Sequence, residues 1–241
     1  MEIPLGLEKC FAFINSQLRS DGAGASSRPQ AERKLAVTLS RQTGSGALSV
    51  AEKLADYLQI HAPGERVWTV FDRNLVQRVL EDHNLPRQLA QFMPEDRVST
   101  IKDMMEESLG LHPAASTLVH ETTETILKLA EVGNVIIVGR GAAVIASGLP
   151  HVFHVRLCGS LEKRVERIRL AMKLGKKAAQ QFVETEERGR RRYLNKHFGA
   201  DIEDPLLYHL TVNTDRFSLD DVAHLIGDAA LRHRDGRVDA R

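Results

Sequence analysis

Gly44 and Gly46, with Ser45 between them and Ser49 just beyond, follow a short apolar run and precede a helical pattern. Leu35 to Leu39 is β-rich, and Val50, Leu54 and Leu58 then recur at helical spacing. A strand that turns through glycines into a helix aims backbone N–H groups, and the positive end of a helix dipole, at one spot. An anion is held there without any side-chain charge. The stretch therefore reads as a phosphate-binding loop. Against the pattern G-x-x-x-x-G-K-[ST] the match is partial. Arg41 stands at the first glycine, Gly46 keeps the second and Ala47 replaces the lysine, while Ser49 falls where a magnesium-binding hydroxyl would be. Taken alone, these residues fit an ordinary strand–turn–helix junction equally well.

Arginines supply the second chemical signal. Arg140 sits between Gly139 and Gly141 after the apolar run Val135 to Val138, and Arg188, Arg190, Arg191 and Arg192 cluster later. Phosphoryl transfer asks a protein chiefly for positioning and for cancelling charge on the moving group. Arginine suits both, with a planar fork of donors that stays charged. Arg41, directly after the first strand, is placed to supply the positive charge that Ala47 lacks. Gly139-Arg140-Gly141 also resembles the opening of a dinucleotide-binding turn, but Val144 stands where the third glycine belongs. The basic cluster has no stacking aromatics interleaved and the chain is not net basic, which argues against nucleic acid. Asp72 and Arg73 close the second strand; Asp72 reads equally as a helix cap or a substrate contact.

The elements that must position these groups alternate. Strands are expected at Leu35–Leu39, Val67–Phe71, Val135–Val138, Val152–Leu157 and Leu210–Asn213, with helices between them and a terminal helix at Leu219–Leu231. Uniformly apolar strands separated by helices imply a parallel sheet covered on both faces. Ligands in such sheets bind at the carboxyl ends of the strands, and the Gly44 loop, Asp72-Arg73, Gly139-Arg140 and the segment after Leu157 all fall there. The chain has 241 residues, 42% hydrophobic, with a formal net charge of +1, enough for a substantial core. Cys10 and Cys158 form neither a disulfide framework nor a zinc pattern. No signal-peptide pattern or membrane-length apolar run is present, so a cytoplasmic protein without membrane attachment is expected.

The segments LSRQTGSGALSVAEKLADYL, FDRNLVQRV, VIIVGRGAAVI, VFHVRLCGSLEKRVERI, EERGRRRYLNKHFG and DPLLYHLTVNT, in this order, resemble the cytidylate-kinase-like branch of the P-loop nucleoside monophosphate kinases. The resemblance implies an α/β, P-loop NTPase-type three-layer fold, with a five-stranded parallel sheet, a helical insertion at about 73–130 and a basic lid at about 173–196. The whole domain spans 34–231, after an N-terminal helix and flexible linker (1–33) and before a frayed tail (232–241). It further implies ATP and Mg²⁺ as cofactors and a small nucleotide acceptor, CMP first. Gly44, Ser45, Gly46, Ser49, Arg164 and Arg167 would hold the donor, with Ser49 on the metal. Asp72, Arg73, Arg140 and Glu187 would meet the acceptor, and Arg41, Arg140, Arg188 and Arg190 would stabilise transfer. Two departures stand out: Ala47 for the lysine, and Gly141 for the family's aspartate beside Arg140. They leave open a second reading, a nucleotide-binding protein without catalysis that serves as a sensor or partner-binding module. A kinase for another acceptor is a third. Nothing in the sequence fixes the oligomeric state.

Overall fold

The computed structural model describes residues 34–62, 67–72 and 117–236. The expected N-terminal helix and linker, Arg73 and most of the expected insertion lie outside the described residues. Among the described residues five strands form one parallel sheet: β1 (Ala36–Arg41), β2 (Thr69–Phe71), β3 (Val135–Val138), β4 (Val152–Cys158) and β5 (Leu210–Asn213). Their order is β2-β3-β1-β4-β5, so β1 lies at the centre. It pairs Ala36 with Val135 on one side and with Val152 on the other. The expected fold class is the observed one.

Alternation along the strands builds the three layers. Val135 and Ile137 of β3 face a core made with α2 (Thr117–Val132), α3 (Ala142–Ile145) and the end of α5 (Lys176–Phe198). Ile136 and Val138 face the opposite core, made with α1 (Ala47–His61) and α6 (Leu219–Arg234). Between β4 and α5 lies α4 (Leu161–Met172), capped by the Ser160 hydroxyl, which accepts from the Lys163 amide. Boundaries differ modestly from expectation. The polar, basic stretch after 176 is one continuous helix of 23 residues, and α6 runs through Arg234 instead of fraying at 232. His233 explains the extension, since its Nε2 donates to the Pro150 carbonyl at 2.9 Å and ties the last turn down. No helix among the described residues is long and apolar enough to cross a membrane.

One feature of β4 makes the fold acid-sensitive. His154 is buried beside Thr38, with Nδ1 2.7 Å from its hydroxyl, and stacks on His209, which lies near His233. Burial, reinforced by those two imidazoles, pushes His154 down to about 3 from 6.5. The unfolded chain therefore binds a proton that the native fold refuses. The stability this contributes is present above pH 6.5 and lost as pH falls toward 3. Urea unfolding should show a loss of about 1.4 kcal/mol per pH unit from this group once the unfolded imidazole is charged. His154→Leu combined with Thr38→Val should flatten that slope.

Candidate functional site

The loop between β1 and α1 owes its shape to two left-handed glycines. Gly44 and Gly46 have φ of 82° and 84°, in the region that glycine adopts without steric cost. Gly46 is the N-cap of α1, and among the described residues no side chain caps that end. The first-turn amides are thus free of side-chain acceptors, the ordinary condition of a helix start that receives an anion. Ser45 is fully buried, and its Oγ has no hydrogen-bond partner among the described residues. A helix start without a side-chain cap, beside a buried, unpaired hydroxyl, fits a polyphosphate, which brings many acceptor oxygens.

The Thr43 and Gly44 carbonyls of the same loop are both engaged. Arg164, buried on α4, donates to Thr43 O at 3.1 Å and to Gly159 O at 2.9 Å. Arg167, one turn on, reaches Gly44 O at 3.3 Å and Thr214 O at 2.8 Å. Gly44 lies so close to α4 that a Cβ there would stand 2.3 Å from Arg164 O. Both arginines were expected to hold the donor; the structure places their guanidiniums on backbone carbonyls, where they brace the loop.

Helix α5 docks on the loop through Thr43. The Thr43 amide donates to Glu187 Oε1 at 3.1 Å, and the same oxygen receives Arg164 Nη1 at 2.5 Å. Arg190 hydrogen-bonds the Thr43 hydroxyl. Burial lowers the Arg190 guanidinium from its usual range; Glu186 and Glu187 oppose that shift, while Arg156 and Arg164 add to it.

Beside this contact is a cavity of about 290 Å³ at the carboxyl ends of β1 and β3, roofed by α5. Arg41, Arg140 and Arg190 line it, against one carboxylate, Glu186, and the remaining wall includes Tyr193, Leu194, Ile202 and Val144. Arg140 sits in left-handed backbone at φ 57°, between two glycines of the same hand. A non-glycine residue in that region costs about 1–2 kcal/mol, strain of the kind that collects at ligand sites. Arg41 lies flat on the turn: a Cβ at residue 139 would come 1.8 Å from its Nη1. Burial raises the Tyr193 hydroxyl, partly offset by Arg140.

Of the expected residues, the structure thus gathers Arg41, Arg140 and Arg190 around one cavity, beside the loop bearing Gly44, Ser45 and Gly46. Ser49 is exposed on the first turn of α1. Glu187 lies on the loop itself, bonded to Thr43. Asp72 directly follows β2, on the far side of β3 from the loop, and does not line the cavity. Arg188 does not line it either. Two residues of helix turn it about 200° from Arg190, into a shallow groove with Arg191, Arg192 and Asp201. Sequence reading missed Thr43, Tyr193 and the support beneath the cavity. Buried Arg156 ties Ser40 (3.1 Å) to Glu203 (2.7 Å) and lies over the Tyr208 ring. Its signal was available, as a charged residue in the apolar run VFHVRLC.

This sheet order, with a glycine loop opening α1 at the central strand, defines an α/β domain of the P-loop NTPase type. Within that class the chain belongs to the cytidylate kinase-like family, whose profile matches residues 36–216. The chain is 25% identical over 210 residues to the cytidylate kinase of Pyrococcus horikoshii, covering 86% of this chain and 93% of that protein. An uncharacterized protein from Eubacterium ventriosum shares the fold, with a TM-score of 0.56 at 18% identity, covering 85% of this chain and 99% of that one. The shikimate kinase of Bacteroides thetaiotaomicron superposes with a TM-score of 0.45 at 13% identity, over 81% of this chain and 97% of that one.

The close approach at Gly44 sets a stability test. Gly44→Ala forces a left-handed alanine against backbone atoms and should cost at least about 2 kcal/mol in urea unfolding. Gly189, in the middle of α5, has nothing within 4 Å of an added Cβ. Gly189→Ala should instead stabilise by about 0.5–1 kcal/mol.

Proposed function

We propose that this protein is an ATP-dependent kinase that phosphorylates a small anionic acceptor, a pyrimidine nucleoside monophosphate such as CMP being the first candidate. Family membership and fold support a nucleotide kinase. The observation that carries the reading is the placement of three arginines, Arg41, Arg140 and Arg190, around one cavity next to the glycine loop. The loop would hold the donor's phosphates by backbone amides, and the cavity would seat the acceptor with its anionic end among the guanidiniums. Tyr193, Leu194 and Ile202 would pack its less polar part. Arg190 comes from α5, so lid closure would carry charge and cover together and exclude water from the transfer.

Mg²⁺ fits this site as a partner of phosphate oxygens. Among the described residues no three His, Cys, Asp or Glu converge to hold a metal, and magnesium commonly takes one or two protein oxygens with the rest from phosphate and water. Ser49 would supply one such oxygen. When bound, the ion would offset charge on the donor's terminal phosphates.

Ala47 supports a second reading, in which nucleotide binds without turnover. A coupled kinase assay over a panel of monophosphates, beside calorimetric ATP binding, separates the two. The kinase reading expects turnover on a pyrimidine monophosphate; binding with no turnover on any acceptor selects the sensor. Arg41→Ala should lower the transfer rate by about 10²–10³-fold, with Arg41→Lys recovering part of it. An unchanged rate in Arg41→Ala would remove Arg41 from the mechanism.

A further inference from the structure

We propose that Glu187 is a built-in competitor for the phosphate loop: its carboxylate latches the α5 lid onto Thr43, and polyphosphate must displace it to bind. The proposal rests on the reading of the Gly44 loop as a phosphate site. All three polar groups of Thr43 are engaged. Its amide donates to Glu187, its hydroxyl meets Arg190 and its carbonyl accepts from Arg164. Two of those partners come from the lid; Thr43 itself is 8% exposed, while the Glu187 side chain keeps 26% exposure, so the carboxylate has room to leave. A carboxylate oxygen that accepts both a loop amide and a guanidinium, at 3.1 and 2.5 Å, makes the contacts that a phosphoryl oxygen would make there.

Two consequences follow from charge and geometry. Glu187 holds one negative charge at the mouth of a site meant for several, so an incoming polyphosphate meets repulsion until the carboxylate swings out. Glu187 and Arg190 stand one turn apart on the same helix face. Releasing the first therefore frees the face that carries the second, and Arg190 becomes available to the anion that displaced its neighbour. The latch thus couples donor arrival to rearrangement of the lid.

The test uses the full-length protein with tripolyphosphate as probe. Amide hydrogen exchange at Thr43 reads the latch without any ligand, and calorimetry reads the anion. In Glu187→Gln, which keeps the side-chain volume, Thr43 should exchange about tenfold faster and tripolyphosphate should bind about tenfold more tightly, the scale of one charge-assisted hydrogen bond. Glu187→Ala should go at least as far. Glu184→Gln removes a charge from the same helix without touching the loop and should change affinity by less than about twofold. If Glu184→Gln matches Glu187→Gln, the effect is general charge and the latch is overturned. Wild-type protein that binds tripolyphosphate while Glu187→Gln binds it no better also overturns the latch and leaves the phosphate-loop reading standing. Tripolyphosphate bound by neither protein overturns that reading, and the competition with it, even if Thr43 exchange quickens.

Discussion

Two arginines, Arg164 buried and Arg167 half-buried, holding the carbonyls of a glycine turn are the constraint on which this site depends. In a trans peptide the C=O and N–H point in opposite directions. Fixing Thr43 O on Arg164 therefore turns the Gly44 amide away from α4, and the next peptide is fixed at both ends, Gly44 O on Arg167 and the Ser45 amide on Gln42 O at 3.2 Å. The loop is preorganised from behind. Hydrogen bonds from charged donors contribute about 1.5–3 kcal/mol each, and stranding a buried guanidinium such as Arg164 costs about 3–5 kcal/mol. The turn is thereby tied to α4 and, through Thr214, to the end of β5, so four elements share one geometry.

That bracing bears on the missing lysine. A lysine at position 47 would be a point charge on a flexible stem, and its loss removes electrostatic stabilisation without altering the backbone cradle. Arg41 approaches from the strand side and lies across Gly139, in a cavity it shares with Arg140 and Arg190. On the proposed reading, positive charge would then sit on the acceptor side of the loop in place of the donor side. An enzyme built this way would hold its acceptor firmly and depend on the arginines of α5 to neutralise the transferred group, whereas a binding protein would need the cradle alone. The strained backbone at Arg140 favours the first, since a turn maintained at a cost of about 1–2 kcal/mol is most simply explained by the position it gives its side chain.

Much of the frame was legible because it rests on periodicity and glycine chemistry. The runs Val135–Val138 and Leu210–Asn213 match β3 and β5 residue for residue, and the loop announced itself by two glycines after an apolar strand. What a side chain does with its charge was not legible. Arg164, Arg167 and Arg190 look alike in sequence, yet two of them brace carbonyls and one faces a cavity. That division is decided by helix phase and by which carbonyls the loop leaves open, both of them tertiary facts. Arg188 shows the same limit, two residues from Arg190 and facing elsewhere. The 23-residue helix α5 read only as a polar, basic stretch, because its buried positions Ala179, Val183, Leu194 and Phe198 are too sparse for a strong apolar stripe.

That sparseness shows how α5 is held. Val183 and Ala179 pack with Val165 in a small cluster at one end of α5, while Leu194 and Phe198 join the large core at the other. Between these anchors lie Glu186, Glu187, Arg190 and Tyr193, the residues that reach the loop and the cavity. A helix held at both ends by apolar contacts and in its middle by polar ones can exchange the polar partners while keeping its anchors. The middle contacts are charged and polar, so a bound anion would act on them, whereas the end contacts are apolar. Glu187, Arg190 and Tyr193 recur three residues apart and so lie along one side of the helix, where a change at Glu187 would alter the field that Arg190 and then Tyr193 sense. On the proposed reading, the segment that covers the cavity would register what occupies the glycine loop, and the occupancies of the two would be coupled through one helix.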